Sequence, residues 1–169
     1  ASCFVATYRN DKKLVSAEWM TTGLGVYDIY VNGRLVGDEV LKPGFTHPEK
    51  TKVSFTYDIT NLLDKRQGRT NQLSAQVTPG WWADKIVTHN SHEGMVGRKC
   101  AFRSVLKLTY ADGNIVYHGT DTMAWKAAVA GPVKHAGIFD GETYDARHLP
   151  GYAAADGLGT PELNKEVSG

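Results

Sequence analysis

Residues Tyr27-Asp-Ile-Tyr-Val-Asn-Gly-Arg-Leu-Val36 write a β-hairpin directly into the sequence, and a hairpin at this point commits the chain to antiparallel sheet. Tyr27, Ile29 and Val31 alternate with Asp28 and Tyr30, the period-2 pattern of a strand with one buried face. Asn32-Gly33 supplies two residues that tolerate positive φ, as a type I′ turn requires. Arg34-Leu35-Val36 then begins the return strand and Gly37-Asp38 ends it.

The same grammar recurs along the chain. Phe4 to Tyr8 reads as a short strand, and Leu14 to Thr22 leads into the hairpin. Lys52 to Tyr57 reads as another, with Val53, Phe55 and Tyr57 on one face. Asp58 to Leu63 reads as one helical turn capped by Asp58 or Thr60. Gln72 to Val77 and Ala101 to Tyr110 follow as strands; Asp112-Gly113 turns the latter back into Ile115 to His118. Trp125 and Ile138 mark later short strands. Many short strands with frequent turn signals predict an all-β, antiparallel β-sandwich of jelly-roll-like topology over residues 1–152. Residues 153–169, rich in Ala, Gly and Glu, read as a linker or flexible tail. From Trp81 to about Arg98 no clean strand appears, and an uninterrupted loop of that length is usually functional or disordered. It holds Trp81, Trp82, Asp84, His89, Asn90, His92 and Glu93, a dense set of groups able to stack on sugars or bond hydroxyls.

Composition narrows the function classes. The 169 residues carry 19 basic and 18 acidic side chains, a net charge of +1 that lacks the electrostatic footprint of a nucleic-acid binder. No apolar run approaches the roughly 20 residues that span a bilayer. No signal peptide is visible, and a start at Ala1 reads as a processed product or an excised segment. Cys3 and Cys100 are too few for a disulfide framework; they pair with each other or stay as buried thiols.

Four segments, in order, carry a resemblance. They are Tyr27 to Asp38 with Leu41-Lys-Pro-Gly-Phe-Thr46; Tyr57-Asp-Ile-Thr-Asn-Leu-Leu63 with Asn71 and its strand; Gly80-Trp-Trp82; and Leu108 to Gly113 through Thr120-Asp121, Trp125-Lys126, Gly131-Pro132 and Asp140-Gly-Glu-Thr-Tyr-Asp-Ala-Arg147. Together they resemble the non-catalytic β-sandwich domain near the N-terminus of bacterial α-L-rhamnosidases. Phe45 stands where that family usually has Trp, and the segment after Trp82 departs from the family's Gly-rich version. The resemblance implies a glycoside hydrolase whose two catalytic carboxylates lie in a separate (α/α) barrel, so this chain alone is not an enzyme. It implies an accessory domain that recognises L-rhamnose-containing oligosaccharides or polysaccharides, in some relatives with a calcium ion, or a purely structural domain packing against the barrel. It further implies secretion or a periplasmic location.

The candidate site residues each carry two readings. In the calcium-dependent relatives, acidic and amide residues at about the position of Asp38-Glu39 contact ion and sugar, and calcium takes several oxygen ligands; the other reading is an acidic surface turn. Trp81 and Trp82 offer flat surfaces that cover a sugar's C–H face; as a strand end only one points inward, and the other reading puts both in the core. Tyr30 and Asn90 are further candidate sugar contacts. Asn32 can also reach a ligand, although turn geometry already accounts for it. The His89 to Glu93 group matches no zinc spacing and reads as a solvated polar loop. Glu142 and Asp145 are close in sequence, but no cleft is evident around them; Arg147 is expected to pair with a carboxylate and tie the termini together.

Overall fold

In the computed structural model, residues 1–47, 49–85, 96–129 and 131–148 are described. The strands are β1 (Ser2–Arg9), β2 (Leu14–Leu24), β3 (Val26–Val31), β4 (Arg34–Leu35), β5 (Phe55–Asp58), β6 (Thr70–Thr78), β7 (Ala101–Tyr110), β8 (Ile115–Gly119), β9 (Lys126–Ala128), β10 (Val133–Gly137) and β11 (Gly141–Tyr144). One sheet has the order β4-β3-β6-β1-β9, the second β5-β2-β7-β8, and β10-β11 form a separate ribbon. Every strand pair is antiparallel. The chain passes from one large sheet to the other at β1–β2, β2–β3, β4–β5, β5–β6, β6–β7 and β8–β9, the repeated crossing of a jelly-roll-like sandwich.

Alternation along the strands becomes two facing apolar layers. From the first sheet come Tyr27, Ile29 and Val31 on β3 and Leu73, Ala75 and Val77 on β6; from the second come Ala17 and Trp19 on β2 and Leu106 and Leu108 on β7. The hairpin closes as its sequence dictates: Asn32 sits at φ 49 and Gly33 at φ 77. Asn32 has a second job. Its amide donates to Leu62 O at 3.0 Å and to Asn71 Oδ1 at 2.9 Å, while its own side-chain oxygen accepts from Gln72 N at 2.9 Å. Asp58 Oδ1 accepts from Thr60 N and opens a single 3-10 turn at Thr60–Leu62.

Three expectations change. The strand expected from Lys52 begins only at Phe55, because Thr22 Oγ1 bonds Val53 O at 2.7 Å in place of a ladder partner. Trp81 and Trp82 stand on a helical turn, α1 (Gly80–Ala83), rather than at a strand end. Trp125 and Ile138 flank β9 and β10 and lie outside them. Cys3 and Cys100 are thiols, Cys3 buried and Cys100 half-buried.

One ring joins the layers. Phe102 on β7 stacks on Phe4 at 6.1 Å between centroids and meets Trp19, Tyr27 and Trp125 edge-on at 6.2, 5.8 and 5.7 Å. Gly23 is its register partner on β2, and a Cβ there would stand 2.8 Å from the Tyr27 ring. Removing so large a side chain from a packed cluster costs about 3 kcal/mol, and a domain of this size loses roughly 2–4 °C of Tm per kcal/mol. Phe102→Ala is therefore expected to lower Tm by roughly 6–12 °C in calorimetry, with Phe102→Leu losing less than half as much.

Candidate functional site

An aromatic groove opens at the end of the sandwich where β2 turns into β3. Gly25, Pro43, Phe45, Val53, Trp81 and Trp82 are among the residues that line it; it is shallow, and the space of about 450 Å³ between them includes open solvent. Its floor depends on Gly80, at φ +46, where a Cβ would stand 2.3 Å from the Val26 side chain. Only glycine lets the chain leave β6 in that conformation and press α1 against the start of β3. Trp82 N and Ala83 N then both donate to Pro79 O.

The two tryptophans are held differently. Trp81 meets Phe45 edge-on, centroids 5.7 Å apart and planes at 63°. Its indole nitrogen is buried with no hydrogen-bond partner among the described residues. Trp82 donates from Nε1 to Lys99 O at 2.8 Å, and Gly97 N donates to Trp82 O at 3.0 Å. A Cβ on Gly97 would fall 2.0 Å from the indole, so bare backbone lies against that ring. Both side chains are half-buried and neither belongs to the core cluster.

Phe45 reaches the groove through a loop anchored by a buried lysine. Lys42 is 1% exposed; Nζ donates to Val36 O at 3.1 Å and sits 5.5 Å above the Tyr57 ring. Its carbonyl accepts from Tyr27 N at 2.9 Å, tying the loop to β3. Tyr57 in turn donates its hydroxyl to Glu39 Oε2 at 2.9 Å. Burial, then the Glu39 carboxylate, pushes the Tyr57 hydroxyl up, while a backbone hydrogen bond and Tyr57 hold the Glu39 carboxyl below its ordinary 4.5. Glu39 is therefore still mostly ionised at pH 4.5, and the charge-assisted bond weakens as pH falls through a midpoint below that. Gly37, at φ +78, belongs to the same packing: a Cβ there would stand 2.4 Å from Glu39 Oε2.

Of the residues singled out in the sequence, Trp81 and Trp82 line the groove. Asp38 and Glu39 are exposed on the loop that delivers Phe45 and are not among the lining residues; Tyr30 lies on β3 between the inward-facing Ile29 and Val31 and is also apart. Asn90, with His89, His92 and Glu93, falls outside the described residues, as does the 153–169 tail. Arg147 pairs with Asp145 at 2.8 Å, and the Ala1 nitrogen donates to Val133 O at 2.9 Å. Lys42 was not legible as a structural residue, because lysine is seldom fully buried.

Lys42→Met keeps the aliphatic stem but loses the bond to Val36 O and the contact with the Tyr57 ring. A hydrogen bond from a charged donor and a cation–π contact together contribute about 2 kcal/mol. Denaturant unfolding is expected to show a loss of that order, with Lys42→Arg intermediate.

Residues 12–160 match the family model for the α-L-rhamnosidase N-terminal domain. The α-L-rhamnosidase of Streptomyces avermitilis is 39% identical over 138 residues, 80% of this chain and 12% of that protein. A crystal structure of a Streptomyces avermitilis α-L-rhamnosidase complexed with L-rhamnose superposes with a TM-score of 0.79 at 34% identity, covering 96% of this chain and 15% of the other. The native α-L-rhamnosidase of Aspergillus terreus gives 0.81 at 31% identity, with 96% and 18% covered. The chain thus spans between 12% and 18% of the length of these relatives. On this match across most of its length, the chain belongs to the α-L-rhamnosidase N-terminal domain family, the non-catalytic β-sandwich portion of these glycoside hydrolases.

Proposed function

We propose that this domain recognises L-rhamnose-containing oligosaccharides or polysaccharides for an α-L-rhamnosidase whose catalytic barrel lies elsewhere in the parent chain. The observation that carries the reading is the groove of Phe45, Trp81 and Trp82, three aromatic side chains around a solvent-open space of about 450 Å³. L-Rhamnose is a 6-deoxy sugar, and its methyl group and C–H face suit such a surface. Aromatic rings cover it at low cost in side-chain entropy. That a solved relative is a complex with L-rhamnose fits the same reading.

Calcium is proposed as an aid to capture at Asp38 and Glu39. Two adjacent exposed carboxylates suit a hard cation, which takes six to eight oxygens. Glu39 Oε2 already accepts from Tyr57, which leaves the other oxygen. No third His, Cys, Asp or Glu joins the pair among the described residues. The remaining ligands would be sugar hydroxyls, carbonyls and water. Recognition of an extracellular glycan accords with a secreted or periplasmic enzyme. The second reading is a structural domain that packs on the barrel; exposed Phe139 and Tyr144, at 47% and 58%, favour the β10–β11 ribbon as its contact.

Calorimetric titration of L-rhamnose, with calcium and again with EDTA, separates the readings. Heat that depends on calcium and disappears in Asp38→Ala is the expected outcome, with Trp81→Ala abolishing it as well. Equal heat in both conditions would remove the ion and keep the sugar. Silence in both would overturn recognition in favour of the structural role.

A further inference from the structure

Starting two residues beyond Trp82, the structure gathers three ligating side chains that no sequence spacing connects. Asp84 follows α1, His135 lies on β10, and Asp140 sits in the turn to β11. One ligand atom from each lies within 4.8 Å of the other two, and no other such group occurs among the described residues. Asp84 is the anchor. Its side chain is 6% exposed, and its Oδ2 points at His135 Nε2, 3.3 Å away. A Cβ on Gly137 would fall 1.7 Å from that same oxygen, so β10 passes Asp84 as bare backbone and leaves the carboxylate a cradle.

A carboxylate withdrawn from water needs positive charge beside it. Among the described residues its charge partner is His135, which supplies that charge only when protonated. A divalent cation supplies it with the imidazole neutral. Asp140 is 45% exposed and pairs with Lys85 at 3.0 Å, a surface ion pair of the kind that contributes little and exchanges readily. One imidazole nitrogen and two carboxylate oxygens suit a borderline transition metal better than calcium, whose ligands are all oxygens. Ligand atoms around a zinc ion held at about 2.0–2.2 Å lie roughly 3–4 Å apart, so the trio needs to close by less than about 2 Å, and the two partly exposed side chains have room to do so.

We propose that Asp84, His135 and Asp140 bind a divalent transition-metal ion, with water completing the shell, and that the ion braces the polypeptide leaving Trp82 against the β10–β11 ribbon. This site is separate from the calcium proposed at Asp38 and Glu39 and does not depend on sugar recognition.

The test is calorimetric titration of zinc sulfate into the EDTA-stripped, dialysed chain without sugar, beside His135→Ala and Asp140→Asn. Both variants alter partly exposed side chains, and their metal-free Tm verifies that they fold; Asp84→Asn, in the buried position, is informative only if it passes the same check. One equivalent is expected in the parent chain, with a Tm that rises when zinc is in excess. Affinity is expected to fall at least tenfold in each variant, and the Tm rise with it. Absence of binding in the parent chain, or a variant that binds as the parent does, would overturn the site; the latter would assign the zinc to other histidines.

Discussion

One aromatic junction ties the two sheets together at the edge of the buried core. Phe102 touches rings from β1, β2 and β3 and from the segment before β9, and no other ring contacts as many partners among the described residues. Aromatic pairs add about 0.5–1.5 kcal/mol each beyond the area they bury, and both stacked and edge-on geometries are directional. One stacked and three edge-on contacts therefore do more than fill volume. They fix how β7 lies against β1 and β3, and through the Gly23–Phe102 register they fix where β2 ends. Gly23, Leu24 and Gly25, which follow from that register, form one wall of the groove. Core and site are parts of one packing arrangement.

The other wall is built from backbone approach and one buried charge. Gly80 and Gly97 allow polypeptide to lie where any side chain would collide, and Trp81 and Trp82, on the short helical turn between them, both line the groove. Lys42 does the equivalent for Phe45. Its ammonium is satisfied by one carbonyl and one ring, so the loop from Gly37 to Thr46 is held from beneath while Asp38 and Glu39 stay in solvent. The groove and the carboxylates are thereby offered on the same loop without being in contact among the lining residues.

Where one face of a strand is buried, the sequence was easy to read. The Asn32-Gly33 hairpin, β6, β7 and the Asp112-Gly113 return to β8 all follow from two-residue alternation and turn chemistry. Reading failed where a long-range contact overrides local preference. Val53 looks like a strand residue, but Thr22 takes its carbonyl and the chain swings toward the groove. Trp81-Trp82 looks like a strand end until the positive φ of Gly80 starts a helical turn. Lys42 reads as a surface charge and is buried. The Asp84–His135–Asp140 trio was invisible because Asp84 is separated by about a third of the chain from the His135–Asp140 pair and meets it only when β10 packs against α1.

The unequal sheet edges have a consequence for how the molecule meets other protein. Three of the four edge strands of the two large sheets are short: β4 has 2 residues, β9 has 3 and β5 has 4. Short edges offer little backbone for a foreign strand to pair with. β8 is the exception, with 5 residues, no proline, no lysine, and Ile115 and Tyr117 exposed at 52% and 62%. For the two large sheets, intermolecular strand addition, whether productive docking or the first step of aggregation, is thus channelled to one side of the second. A single lysine in place of Ile115 would close that route without touching the core, the groove or the ribbon.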